Sequence, residues 1–328
     1  MYQMMSLPLY SGTFQEYDSW RDLGQELERL GCDGIEGVWG GEDLPKDLPA
    51  ELILGYHLIF YPDWLDFYRD DRAALKQKFG SLEAVASFYG GLGPDTLLEQ
   101  YRADLRRAVN LGARYVVFHV SDVSLEEGYT YRWLHTNQEV IDAAVEVVNL
   151  ILGEERWPFE FLVENQWWPG FTFTEPEETA RLLEGIRFAG KGILLDTGHL
   201  MNACTELKTE AEGADYIRSM LNRHGSLAKW VRGVHLHQSL SGAYVKAHTG
   251  SLPAGLPEDY MERFGVSYQH ILQIDQHRPW TDPAILSVLE QIEPRYLTHE
   301  LSSRGRMARA EAVSIQTRLL RQGGRMRV

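Results

Sequence analysis

The sequence predicts an α/β fold: a single-domain (β/α)8 barrel with long βα loops on its C-terminal face. Three observations carry that expectation. Short apolar, β-branched runs alternate with amphipathic helical stretches from end to end, the signature of parallel βα units. Eight such runs can be counted, the number that closes a barrel. No linker rich in Gly, Ser or Pro divides the 328 residues, so one domain over residues 1–328 is the simplest organisation.

Taken in order, strands are expected at Ser6–Tyr10, Gly34–Trp39, Leu52–His57, Arg114–Val120, Phe159–Glu164, Gly192–Asp196, Gly233–His237 and Arg295–Glu300. Helices fit between them. From Asp95 to Leu111 the residues Leu97, Leu98, Tyr101, Leu105 and Val109 recur at helical spacing, and the run stops at Gly112. From Asn137 to Leu152, Val140, Ile141, Ala144, Val147, Val148 and Ile151 do the same before Gly153. Glu175-Pro176-Glu177-Glu178 opens another helix, with Pro and acids in the first turn where the helix dipole favours them. Three connections are long, Leu58 to Pro94, Ser121 to Thr136 and Gln238 to Arg278. All three follow strands, which in a barrel places the extra chain over the C-terminal mouth.

Composition narrows the function. With 44% hydrophobic and 24% charged residues the chain is an ordinary globular protein with material for a large core. No stretch approaches the roughly 20 apolar residues of a membrane span. The N-terminus has neither a basic region nor a long apolar one, so it does not read as a secretion signal. Cys32 and Cys204 cannot build a disulfide framework, and reduced thiols in the cytoplasm are expected. A net charge of −15 argues against nucleic acid, since phosphate neutralisation supplies most non-specific affinity, although it leaves room for a local basic groove. A small sugar-like ligand that coordinates a metal meets no such repulsion.

The chemistry is read from how the apolar runs end. Ile193-Leu194-Leu195 stops at Asp196, with His199 three residues further on. Phe161-Leu162-Val163 ends at Glu164, Tyr115–Phe118 at His119, Val231–Val234 at His235, and Tyr296–His299 at Glu300. His57 closes another run. In a barrel these ends converge on one pocket. The mixture of imidazole and carboxylate suits zinc, manganese, cobalt or magnesium, and the lack of cysteine ligands points away from a structural zinc site. No nucleotide cofactor is expected. His199 could hold a second metal, orient substrate or cap the next segment. His235 and His237 share a face of an extended strand, so His237 could replace His235 if the strand runs longer.

Asp-Thr-Gly-His after one strand, Glu-Asn after another, His-Leu-His-Gln-Ser and a closing Glu together resemble the xylose-isomerase-like TIM-barrel superfamily. That group holds sugar isomerases, ketose 3-epimerases, inositol-catabolism enzymes and apurinic-site endonucleases. The resemblance implies Glu164, Asp196, His235 and Glu300 as ligands of one divalent metal, and assembly as a homo-oligomer, for which no residue marks an interface. The endonuclease branch would add His57 and His119 with bridging Glu164 at one zinc, and His199 and His248 at another. Its third zinc also takes an aspartate two residues before the second histidine, and Lys246 stands there.

The first expectation is therefore isomerisation or epimerisation of a sugar, sugar phosphate or related polyol ketone through a metal-stabilised enediolate. Glu164 and Glu300, across the mouth from each other, would be base and acid. His57, His199 and His237 would meet substrate hydroxyls, and Trp167 and Trp168 would wall the pocket. Arg304, in Ser302-Ser303-Arg304-Gly305-Arg306, would meet an anionic group at the last helix's N-terminus. Arg318, Arg321, Arg325 and Arg327 read as an exposed face and frayed tail. The alternative expectation is a zinc-dependent phosphodiesterase resembling the apurinic-site endonucleases of DNA repair. A third is a barrel that binds sugar without turnover.

Overall fold

A computed structural model describes residues 1–323 of the chain. Its eight strands, all parallel, close a barrel in sequence order. They are β1 (Tyr2–Leu9), β2 (Gly34–Trp39), β3 (Ile53–His57), β4 (Tyr115–His119), β5 (Glu160–Glu164), β6 (Lys191–Asp196), β7 (Val231–His235) and β8 (Tyr296–His299). Closure runs from β8 back to β1, where Met4 lies opposite Thr298. No helix among the described residues is long and apolar enough to cross a membrane.

Two apolar shells hold the barrel. Leu7, Ile35, Val116, Val163, Leu195, Val234 and Leu297 belong to the large outer cluster shared with the surrounding helices, all of them fully buried. Met4, Leu54, Tyr115, Val117, Leu162, Leu194 and Tyr296 pack inside the barrel. Each such burial stabilises by about 1.5–3 kcal/mol. Truncating one, as in Leu195→Ala, costs about 2–5 kcal/mol through lost contacts and the cavity left behind.

Strand alternation then positions the chemistry. A residue two further along a strand points to the same side. His119 follows Val117, Glu164 follows Leu162, and Asp196 follows Leu194, so each donor sits one layer above an apolar plug. The helix Asn137–Leu152 shows how the outer layer is fixed. A Thr136/Glu139 capping box starts it, Val140, Ile141, Ala144, Val147, Val148 and Ile151 are buried, and Gly153 ends it at φ 56°.

Several boundaries differ from expectation. β1 starts at Tyr2 rather than Ser6, because the Tyr2 amide donates to the Arg295 carbonyl and its ring stacks on Tyr296. β7 ends at His235, and Glu300 lies just past β8. The long connections are not bare loops. Leu65–Tyr68, Arg72–Phe79 and Leu82–Tyr89 are helices in the first, Leu125–Thr130 in the second, and Gly242–His248 and Tyr260–Ile274 in the third. Arg325 and Arg327 lie outside the described residues.

Candidate metal centre

Three donor sets meet at the C-terminal mouth: His57, His119 and Glu164; Glu164, Asp196, His235 and Glu300; and His199, His237, Asp275 and His277. Within each set the ligand-type atoms lie within 4.8 Å of one another. Glu164 joins the first two. Its Oε2 is 3.3 Å from His57 Nε2 and 3.0 Å from His119 Nε2, while its Oε1 is 3.3 Å from His235 Nδ1. His235 Nδ1 is also 2.8 Å from Glu300 Oε2 and 3.7 Å from Asp196 Oδ2. In the third set, Asp275 Oδ2 lies 3.3 Å from His199 Nε2 and 2.6 Å from His277 Nε2.

The surrounding chain aims these side chains. His57 Nδ1 faces the Leu58 carbonyl at 2.8 Å and His277 Nδ1 the Glu300 carbonyl at 3.0 Å. An N–H donated there leaves the Nε2 lone pair of a neutral ring directed at the centre. Asp196 ends β6 and caps the helix Thr197–Asn202, accepting from the His199 amide at 2.6 Å. That cap puts His199 on the first helical turn beside the carboxylate. Gly198 is required by close approach, since a Cβ there would sit 2.0 Å from His237 Cε1. His237 Nε2 in turn lies 2.8 Å from Asp196 Oδ2, and its ring stacks on His277 at 4.0 Å.

Beneath His235 lies a buried acid, Glu36 of β2, whose Oε1 is 2.8 Å from His235 Nε2. Glu36 Oε2 accepts from the Tyr115 hydroxyl at 2.6 Å and from Thr298 Oγ1 at 3.0 Å. Tyr115 reaches that position because Gly55 has no side chain; a Cβ there would lie 2.3 Å from the ring.

The centre fits divalent cations. Glu164 Oε2, Glu300 Oε2 and Asp275 Oδ1 are buried and make no directed hydrogen bond. Glu164 Oε2 lies 3.0 Å from His119 Nε2, and Glu300 Oε2 lies 2.8 Å from His235 Nδ1. Electron-rich atoms this close without a proton aligned between them are the geometry of ligands around a shared cation. His57 Nε2 and His119 Nε2 lie 3.0 Å apart beside the same Glu164 oxygen. The protein's own electrostatics agree. Burial works to raise the Glu164 carboxyl, but His119 and His235 outweigh it and hold it well below the usual carboxylate range. Burial likewise opposes ionisation of Glu300, yet His235 draws it down to about 2. Burial would lower His277, and Asp275 pushes it up to about 10. The set is oxygen and nitrogen only, which suits zinc, manganese, cobalt or magnesium.

Most residues expected at the site are there: His57, His119, Glu164, Asp196, His199, His235, His237 and Glu300. His248 is not. It is exposed at the end of the helix Gly242–His248, stacked on Tyr244 at 4.1 Å, and Lys246 is spent on Glu206 at 2.7 Å. The aspartate-x-histidine spacing sought around Lys246 occurs instead at Asp275-Gln276-His277, directly after the helix Tyr260–Ile274. Glu36 was the other residue missed, and an acid inside an apolar strand was its signal.

Arg304 is also displaced from the expectation. It is exposed and does not line the mouth, while Arg306 pairs with Asp22 and Glu26 at 2.6 and 2.9 Å. Of the two arginines, Arg306 is thus engaged by acids rather than free for an anion. Trp167 and Trp168 do line the mouth, with Trp167 5.1 Å from the His199 ring. Trp280 is fully buried in the core and donates to the His237 carbonyl at 2.8 Å.

A closed parallel barrel with convergent carboxylates and imidazoles at its C-terminal mouth defines a class of metal-binding barrel enzymes. The chain belongs to the xylose isomerase-like TIM barrel family, whose model matches residues 25–319. Among solved structures it is similar to a D-tagatose 3-epimerase-like protein (15% identity, 99% of this chain and 98% of that one, TM-score 0.53). It is equally similar to endonuclease IV from Thermus thermophilus (15%, 98% and 100%, TM-score 0.52). The IOLI protein with a bound zinc atom also matches (16%, 98% and 98%, TM-score 0.51). No protein of curated function matches the chain in sequence.

Proposed function

We propose that this chain is a metal-dependent hydrolase of phosphodiesters, with three divalent cations, zinc foremost, held by the three donor sets. The observation that carries this reading is the third set. An enzyme that only enolises a ketose needs one cation at Glu164, Asp196, His235 and Glu300, and needs no second set in which Asp275 and His277 join His199 as ligands. Divalent cations at adjacent sites neutralise and orient a phosphate and provide an activated water at neutral pH.

The residues divide the remaining work. Glu164 has one oxygen between His57 and His119 and the other against His235, so it serves as the shared ligand of two sites rather than as a free base. His57 and His277 are held in orientation by backbone carbonyls, and in their neutral forms they and His119 would offer nitrogen lone pairs to a cation. Glu300 is also a ligand of the second set and its carboxyl is held low, but its side chain is 19% exposed to the cavity, so it is the ligand carboxylate that can take up a proton transiently. Hydrolysis forms one bond from water oxygen to phosphorus and breaks one ester P–O bond. The water's proton passes to Glu300, and solvent at the open mouth protonates the departing oxygen.

Isomerisation or epimerisation of a sugar-like ketone is the second reading, favoured by the absence of lysine and arginine around the cavity among the described residues. The two are separated by one assay. Purified protein supplied with zinc or manganese should hydrolyse bis(4-nitrophenyl) phosphate, and chelation should abolish that activity. Absence of hydrolysis, with solvent deuterium entering a ketose, would transfer the site to the second reading.

A further inference from the structure

The mouth cavity has about 250 Å³ of space, and its floor and walls are chemically opposite. The floor is the donor cluster. The walls are Phe60 from the loop after β3, Trp167 and Trp168 from the loop after β5, and Tyr268, Ile271 and Leu272 from the helix Tyr260–Ile274. Phe60 is 49% exposed although it lies against the His119 ring at 4.5 Å, and Tyr268 is 52% exposed. Large apolar side chains left in water at the rim of a concave site mark a binding surface rather than a core. The Trp168 indole N–H, buried in the same wall, has no hydrogen-bond partner.

What the walls lack matters equally. Among the described residues no lysine or arginine lines the cavity, and the chain carries a net charge of −15. A polynucleotide brings a phosphate at every step, and its affinity comes from neutralising several of them with basic side chains. Here one phosphate could be neutralised at the floor, and its neighbours would face the apolar wall. A ligand with one phosphate and a flat, uncharged substituent satisfies both parts of the cavity.

Resting on the hydrolase reading above, we infer that the substrate is a small-molecule phosphodiester bearing a planar aromatic or heteroaromatic group. That group packs against Phe60, Tyr268 and the Trp167–Trp168 wall. Stacking on an aromatic side chain is worth about tenfold or more in affinity, and that difference is measurable.

The test titrates zinc-loaded, full-length protein calorimetrically with diphenyl phosphate and with dimethyl phosphate. Diphenyl phosphate should bind at least about tenfold more tightly. Tyr268→Ala and Phe60→Ala should each remove most of that preference with metal content unchanged, and Tyr268→Phe should keep it. In turnover of bis(4-nitrophenyl) phosphate, Tyr268→Ala should raise KM more than it lowers kcat. Equal affinity for the two diesters, or displacement of diphenyl phosphate by a lower concentration of an abasic duplex, overturns this substrate class and leaves hydrolysis standing. Retained preference with no hydrolysis of any diester overturns the hydrolase reading itself, and the substrate assignment with it.

Discussion

The two ends of the barrel both carry ionisable residues and treat them in opposite ways. At the N-terminal end Arg295 pairs with Glu160, Arg114 lies 4.7 Å over the Tyr2 ring, and a cavity of about 830 Å³ opens beside them. At the C-terminal end the cavity is about 250 Å³, yet it gathers carboxylates and imidazoles with no lysine or arginine among them. Size therefore does not locate the chemistry. At one end charge is balanced by complementary side chains in contact with water. At the other, anionic and neutral donors are buried facing one another, an arrangement that only a cation or protons can stabilise.

The largest test of that contrast removes the shared ligand. Glu164→Gln keeps volume and loses the charge between two donor sets, so cation binding at both, and hydrolysis, should fall below detection. Elemental analysis and the diester assay check this. Retained activity would break the assignment. A smaller effect is expected one layer down. Glu36→Gln leaves every donor in place but removes the negative charge behind His235, and a loss of about 10–100-fold in metal affinity should follow.

Acidity sharpens the comparison further. His277, pushed up to about 10 by Asp275, holds a proton at neutral pH in metal-free protein. A cation must displace it, so uptake at that set should release a proton and strengthen by up to about tenfold per pH unit until the pH passes the imidazole's value. Calorimetry in buffers of different ionisation heat reads this directly. No proton release between pH 6 and 8 would contradict it. The smallest effect belongs to the other end. Arg295→Ala breaks an ion pair whose arginine is 53% exposed, and should cost no more than about 1 kcal/mol without changing metal content.

How much of this was legible in the sequence follows from periodicity. Strands expose their inward set by alternation, so His119, Glu164, Asp196 and His235 could be placed by where an apolar run stopped. Glu300 followed from the same grammar one residue past β8. Asp275 and His277 lie in a connection where no strand sets the register, and only their spacing marks them. His248, with Lys246 two residues before it, occupied the same long connection and drew the assignment, because sequence does not reveal that the helix Gly242–His248 turns both to solvent. Arg304 failed for a different reason: Asp22 and Glu26, nearly three hundred residues away in sequence, reach its neighbour Arg306. The helical lining of the mouth by Tyr268, Ile271 and Leu272 was likewise invisible, since their spacing is that of any amphipathic helix.

The central claim is that three cations, not one, share this mouth, and metal stoichiometry tests it most directly. Elemental analysis of zinc-loaded wild type should approach three equivalents per chain, falling to two in Asp275→Ala. A single equivalent in the wild type, unchanged by Asp275→Ala, would contradict the account.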